Sequence, residues 1–357
     1  MGESDMSKPK IAVIGAGSIS EFHMKSFKNN PDAELAAVCD VNGERAALMA
    51  GKYGAERVFT SYRELLAEKD FDAVSITTWN STHAEIAIAA LEAGKHVLVE
   101  KPLCQTMEQA LEIEETVRRT GKCLQVGFSR RFSENTTVLK RFVDAGDLGE
   151  IYYAKASFLR RKGNPGGWFA DKKRSGGGPL IDLGVHVIDL CWYLMGKPKV
   201  RSVSGNTYQK LGNRSNIKNL SFYQAADYDV MKNDVEDMAN ALIRFENGAS
   251  IYIDVSFTLH LAEDELSLKL FGDKGGAQLE PFLQVVSEKH DTILNMQPQV
   301  DHVRFHFESA FQHQIDHFVH CIRTGAKTES PVEDGVELMK MLTAVYESAR
   351  LGKEVHF

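Results

Sequence analysis

The sequence predicts a two-domain α/β protein, on three observations. At roughly 150 residues per domain, 357 residues correspond to about 2.4 domains. From residue 10 to about 128, short apolar strands alternate with amphipathic helical runs. After about residue 150, alternating apolar and polar strands dominate instead. The first texture predicts a doubly wound parallel sheet over residues 8–128, because strands buried on both faces read as near-continuous apolar runs. The second predicts an α/β domain over residues 129–357, built on a large, mainly antiparallel sheet with one open face.

Taken in order, the first strands are expected at Lys10–Gly15, Glu34–Asp40, Arg57–Thr60, Asp72–Thr77, His96–Glu100 and Lys122–Phe128. SYRELLAEKD and HAEIAIAALEAGK are among the helical runs between them. A helix is expected at Pro179–Met195, with Pro179 at its first turn and Gly196 just past its end. Strands follow at Val200–Tyr208, Met238–Phe245, Ser250–Phe257, Leu266–Phe271 and Gly276–Leu279, and Asn247-Gly248 signals a hairpin between two of them. Helices at His306–Thr324 and Val332–Leu351 close the chain.

Composition narrows the function. Hydrophobic residues make up 43% and charged residues 25%, an ordinary globular balance that argues against disorder. A net charge of −7 gives no whole-protein attraction for nucleic acid or an anionic membrane. Cys39, Cys104, Cys123, Cys191 and Cys321 are scattered without a CxxC pair, which fits a reducing cytoplasm and neither a disulfide framework nor a zinc ribbon. The leader MGESDMSKPK has no apolar core, and no run long enough to span a membrane follows.

The segment KIAVIGAGSIS sets Gly15 and Gly17 after a strand, with Ser18 and Ile19 opening a helix. Gly15 permits the tight turn, and Gly17 lets backbone approach a pyrophosphate at the helix N-terminus. Ser20 stands where the third glycine of G-x-G-x-x-G is usual. Asp40 ends the second strand, placed to take the adenosine ribose hydroxyls and to repel a 2′-phosphate. NAD is therefore expected over NADP, with Arg45 nearby as the opposing feature.

Ligands of open α/β sheets bind at the carboxyl ends of strands, which places Thr78, Asn80, His83, Glu100 and Lys101 near the cofactor. Pro102 restricts Lys101 to extended conformations and aims it. In GGGPLIDLGVHVIDLCWYLMG, Gly176–Gly178 are expected as a flexible approach to the helix. Asp182 and His186, four apart, share one helix face, with Asp189 three further on. Removing hydride from an alcohol needs a proton acceptor, a role suited to a histidine oriented by a carboxylate.

Together GAGSIS, Asp40, TTWNSTH, EKP and GGGPLIDLGVHVIDL resemble the glucose–fructose oxidoreductase/inositol dehydrogenase/MocA (Gfo/Idh/MocA) family over about residues 8–355. The resemblance implies a Rossmann domain, a second α/β domain whose open sheet serves oligomerisation, and NAD(P)-dependent chemistry on sugars and cyclic polyols. It further implies that Lys101 of EKP is the catalytic lysine, that Asp182 and His186 form the D-x-x-x-H element, and that Arg130 of VGFSRRF faces cofactor and substrate. FLRRKGNPGGWF resembles the branch acting on free sugars, including levoglucosan and glycoside 3-dehydrogenases.

The expected protein is thus a cytoplasmic NAD-dependent dehydrogenase of a sugar or polyol alcohol, assembled as a homodimer or homotetramer. The substrate site would comprise Lys101, Arg130, Trp168, Asp182 and His186. The alternatives are a glycosidase that recycles NAD and a non-catalytic regulator of galactose genes. Three other features have plainer readings. Arg160, Arg161, Lys162, Lys172, Lys173 and Arg174 suit a solvated loop, and Cys39 and Cys123 suit strand packing. His313, His317 and His320 share a helix face, but no further ligand completes a metal site.

Overall fold

The computed structural model describes residues 8–229 and 231–357 and divides the chain into two compact units, Met1–Ser129 with Phe307–Val336, and Arg130–His306 with Glu337–Phe357. The leader reading falls largely on residues 1–7, outside the described residues. No helix among the described residues is long and apolar enough to cross a membrane.

The first unit follows the expected alternation closely. Its elements are β1 (Lys10–Ile14), α1 (Ser20–Asn29), β2 (Glu34–Cys39), α2 (Gly43–Tyr53), β3 (Arg57–Phe59), α3 (Tyr62–Ala67), β4 (Ala73–Ile76), α4 (Asn80–Glu92), β5 (His96–Glu100), α5 (Met107–Thr120) and β6 (Leu124–Gly127). All strand pairs are parallel, in the order β3-β2-β1-β4-β5-β6. β4 and β6 are buried along their whole length, as a sheet covered on both faces requires.

The second unit contains α6 (Glu134–Asp144), β7 (Ile151–Leu159), α7 (Lys172–Ser175), a π-helical turn at Leu180–Gly184, α8 (Val185–Leu194), β8 (Val200–Tyr208), β9 (Met238–Phe245), β10 (Ser250–Ser256), β11 (Glu265–Gly272), β12 (Gly275–Glu280), β13 (Gln284–Lys289) and β14 (Thr292–Met296). The chain then supplies α9 (Phe307–Thr324) and the start of α10 (Val332–Leu351) to the first unit. The end of α10 and β15 (Val355–His356) belong to the second. α9 completes the helical cover beside α1: Phe311 stacks on Phe22 at 5.3 Å, and Ile315, Phe318 and Val319 share a core with Ile11, Met24 and Phe27.

The second sheet runs β14-β13-β12-β11-β7-β10-β9-β8-β15. Only β7–β10 is parallel. Gly248, at φ +87°, turns the β9–β10 hairpin that Asn247-Gly248 announced. In β10 the inward Ile251, Ile253 and Val255 are buried, while Tyr252 and Asp254 are half-buried on the opposite side. That opposite side is mixed rather than uniformly apolar. Tyr153 stacks on Phe271 at 5.4 Å, and register places Lys155 between Tyr252 and Lys269. β7, β13, β14 and β15 were not among the expected strands.

Candidate active site

The glycine turn is built for a close backbone approach. Gly15 sits at φ +100°, and a Cβ there would lie 2.6 Å from the Thr77 carbonyl oxygen, so only glycine fits against the end of β4. A Cβ on Gly17 would meet nothing within 4 Å, so the turn is open where a ligand would pass. Ser20 is buried, and its hydroxyl donates to the Gly17 carbonyl at 2.5 Å, closing the turn without the third glycine. α2, α3 and α5 are capped by Asn42, Ser61 and Thr106, but α1, preceded by Ile19, has no side-chain cap. Exposed Ser18 and half-buried Ile19 line that N-terminus, whose N–H groups and dipole favour an anion. Asp40 ends β2 and accepts from Ala16 N at 2.7 Å and Asn42 N at 2.8 Å, which anchors its carboxylate beside the turn. Exposed Arg45 donates its backbone N–H to Asn42. These residues fit a dinucleotide.

A buried network underlies EKP. Glu100 accepts from Lys101 N at 3.2 Å, and its other oxygen meets His23 Nε2 at 2.9 Å. His23 Nδ1 lies 2.8 Å from Ser75 Oγ. His83 is fully buried between the carbonyls of Pro102, at 2.8 Å, and Thr78, at 3.2 Å, and burial holds it below the ordinary imidazole value. His83 thus ties α4 to the EKP turn, while Asn80 opens α4 at the same strand-end edge. Lys101 itself is half-buried.

In the second unit every residue from Leu180 to Leu194 is buried except Asp182 and His186. A helix apolar all round is a core helix, and this one opens at a single polar pair. Asp182 lies in the π turn and His186 in the first turn of α8. The wider winding of the π turn keeps residues four apart close to one face, and such turns recur at functional sites. Asp189 is different: its buried carboxylate takes Arg131 bidentately, with Nε at 3.1 Å.

Gly177 and Gly178 do not form a flexible approach. Both are buried, and a Cβ would run into the Tyr346 hydroxyl at Gly177 and the Glu236 carbonyl at Gly178. At these two positions packing overrides the conformational freedom expected of glycine, while Gly176, at φ +85°, ends α7 in the left-handed region. Arg130 is also buried within the second unit, 3.4 Å from Glu280 and with its guanidinium 4.3 Å from the Phe305 ring. Half-buried Trp168 packs on Phe169 at 3.9 Å.

Much of the basic stretch is not simply solvated. Lys162 donates to the carbonyls of Ile217 and Leu220, Arg161 to that of Ala262 at 2.8 Å, and Arg174 pairs with Asp171 and Asp227. His317 accepts from Glu329 N at 3.0 Å, while His313 and His320 are exposed. Among the described residues no group of three or more His, Cys, Asp or Glu is placed to hold a metal. Cys39 and Cys123 lie in or beside strands, and burial pushes both thiols up to about 12.

Residues 9–128 match the Gfo/Idh/MocA model described as an oxidoreductase family with an NAD-binding Rossmann fold, and residues 136–278 match the Gfo/Idh/MocA C-terminal domain. Over 97% of each chain, the sequence is 34% identical to the D-glucoside 3-dehydrogenase of Escherichia coli (strain K12). The chain belongs to the Gfo/Idh/MocA oxidoreductase family. The scyllo-inositol 2-dehydrogenase (NAD(+)) of Bacillus subtilis (strain 168) is 32% identical over 88% of this chain and 86% of its own. An oxidoreductase domain protein from Kribbella flavida superposes with a TM-score of 0.86 at 25% identity, covering 98% of this chain and 99% of that one. A levoglucosan dehydrogenase in complex with NADH and levoglucosan has the same fold, with a TM-score of 0.85 at 23% identity over 98% and 99% of the two chains. The expected family, the two sheet types and the NAD-binding first domain are thereby borne out.

Sequence reasoning missed His23 and Glu236. His23 lies one helical turn beyond Ser20, on the same face of α1 toward the sheet, a periodicity that could have marked it as buried. No local pattern marks Glu236, whose partners are far away in the chain.

Proposed function

We propose that this family member is an NAD-dependent dehydrogenase that oxidises a secondary alcohol of a sugar, sugar derivative or cyclic polyol, with a glycoside as the first substrate to test. The observation that carries this reading is the buried helix opening to solvent only at Asp182 and His186. Identity to a D-glucoside 3-dehydrogenase along nearly the whole chain supports the substrate class.

In this reading His186 takes the hydroxyl proton at an imidazole nitrogen, and Asp182 orients the ring and stabilises its cation. Lys101 donates to the developing alkoxide as a compact ammonium. Gly15, Gly17, Ser18 and Ile19 present backbone to the pyrophosphate, and Asp40 accepts from the ribose hydroxyls. Thr78, Asn80, His83 and Glu100 shape the strand-end side of the site. Bound NAD would supply the hydride acceptor. Arg130, held by Glu280, and Trp168, against Phe169, complete the substrate side.

The test is a panel of glycosides, free hexoses, levoglucosan, and myo- and scyllo-inositol with NAD, following absorbance of the reduced nicotinamide. Net reduction with a glycoside or hexose is expected. Glycoside cleavage without net NAD consumption would point to the recycling glycosidase, and no turnover of any compound to the regulator. The aromatic part of the mixed sheet face, where Tyr153 stacks on Phe271, supports a homodimer or homotetramer, which light scattering at micromolar concentration checks; a monomer rejects it. Five free cysteines suit a cytoplasmic setting, and cell fractionation tests that.

A further inference from the structure

The helix that carries Asp182 and His186 does not begin on a local cap. Pro179 precedes the π turn and offers no side-chain hydrogen bond. The two backbone N–H groups that lead into it, on Gly178 and Leu180, instead donate to one distant carboxylate. Glu236 Oε2 accepts from Gly178 N at 3.0 Å, and Oε1 accepts from Leu180 N at 3.2 Å. Oε1 also accepts from the Tyr346 hydroxyl at 2.8 Å. Glu236 is 8% exposed, so water does not compete for these bonds.

The neighbouring glycines are shaped to this pair. A Cβ at Gly178 would strike the Glu236 backbone, and one at Gly177 would strike the Tyr346 hydroxyl. Glu236, Tyr346, Gly177 and Gly178 therefore form a single close-packed clamp at the start of the helix. A carboxylate suits this place because it can bind two diverging N–H groups at once and complements the positive end of the helix dipole. Asp182 lies two residues beyond the second clamped N–H, so little backbone freedom separates the clamp from the acidic member of the polar pair. His186 follows one turn later.

We propose that Glu236, braced by Tyr346, is a positioning residue that sets the orientation of Asp182 and His186. The proposal rests on the reading of that pair as proton-transfer groups. Glu236→Gln keeps the shape but puts an amide N–H₂ where an oxygen accepted, so one clamped N–H loses its acceptor. Tyr346→Phe removes only the brace and leaves the carboxylate in place.

The experiment combines kinetics with ¹³C-histidine NMR on the full chain, using the best substrate of the panel, at temperatures well below each variant's Tm. The His186 resonance is assigned by its loss in His186→Ala. In Glu236→Gln that resonance is expected to shift and broaden, and kcat to fall about 10- to 100-fold, the range typical of a small misplacement of a reacting group. KM for NAD should stay within about twofold. Tyr346→Phe should move both readouts in the same direction by less, and it decides the matter alone if Glu236→Gln does not fold. A His186 resonance unchanged in the folded variants, or kcat unchanged despite a lower Tm, would overturn the proposal and leave Glu236 as a purely structural cap. If instead His186→Ala itself keeps normal turnover, the proton-transfer reading fails, and the NMR still reports separately on the clamp.

Discussion

In the first unit two buried histidines below the strand ends are each shared between hydrogen-bond partners, His83 between Pro102 and Thr78 and His23 between Ser75 and Glu100. In the second, several buried polar groups are charged. Arg131 is paired with Asp189 and Arg130 with Glu280, and the Glu236 carboxylate clamps a helix start. The difference follows from architecture. A parallel sheet covered on both faces brings backbone carbonyls and glycine turns to one edge, where an imidazole N–H finds an acceptor. A mostly apolar core helix leaves a buried charge such as Asp189 no local partner, so it is paired with a group from elsewhere in the chain, here Arg131.

The strongest test of this division is catalytic. His186→Ala should lose about 10²–10⁴-fold in kcat, typical for a general base, while NAD affinity stays unchanged because the glycine turn is elsewhere. Lys101→Ala should lose at least as much. The acid limb of the kcat/KM profile should vanish with His186; near-normal turnover with that limb intact would break the assignment.

Next in size is the cost of breaking an ionic pair. Arg131→Met alone leaves Asp189 buried and uncompensated, expected to cost about 3–5 kcal/mol. The double variant Arg131→Met with Asp189→Leu should recover most of it. Hydrogen exchange would place the loss in the second unit, and uniform loss across both units would contradict the comparison.

A smaller effect is expected at Asp40. Asp40→Ser should weaken NAD about 10- to 100-fold, the worth of hydrogen bonds to a charged group, and narrow the preference over NADP. Similar kcat/KM for the two cofactors in the unaltered protein would remove the basis for that role. Because Asp40 also accepts from Ala16 and Asn42, part of the loss should appear as a looser turn.

The smallest effect is with pH, and here the units should move oppositely. Burial holds His83, His96 and His317, all in the first unit, below 6.5. Their unfolded forms take up protons first on acidification, so stability complete above that value is lost as pH falls through it. Burial raises Glu236 and Glu280, in the second unit, above 4.5. Their contribution is complete below 4.5 and is lost as pH rises through the raised values. Between about pH 7 and about pH 5, amide protection should fall in the first unit and hold or rise in the second. Parallel changes in both units would show that other groups dominate.

The first unit was legible because its signals are local. Each strand expected there formed within a residue or two, and Gly15, Gly17 and Asp40 came together as a turn and a strand end. The second was only partly legible. β9 and β10 were plain from alternation and Asn247-Gly248, but β7 went unassigned although it lies mid-sheet between β10 and β11. Its sequence, IYYAKASFL, mixes small, aromatic and charged residues, so its apolar alternation is weak.

Periodicity and turn chemistry by themselves determined the two sheet types, the helix bearing Asp182 and His186, and the glycine turn. Each depends on residues within a few positions of one another, whose spacing sets which face is buried. Tertiary structure alone decided that α9 completes the first unit, that Gly177 and Gly178 are packed rather than flexible, and that the site helix starts on Glu236 and Tyr346. Buried donors and acceptors must be satisfied, but nothing in local spacing specifies which distant group satisfies them. The partner is chosen only when the chain has folded and brings Glu236 to Gly178 across 58 residues.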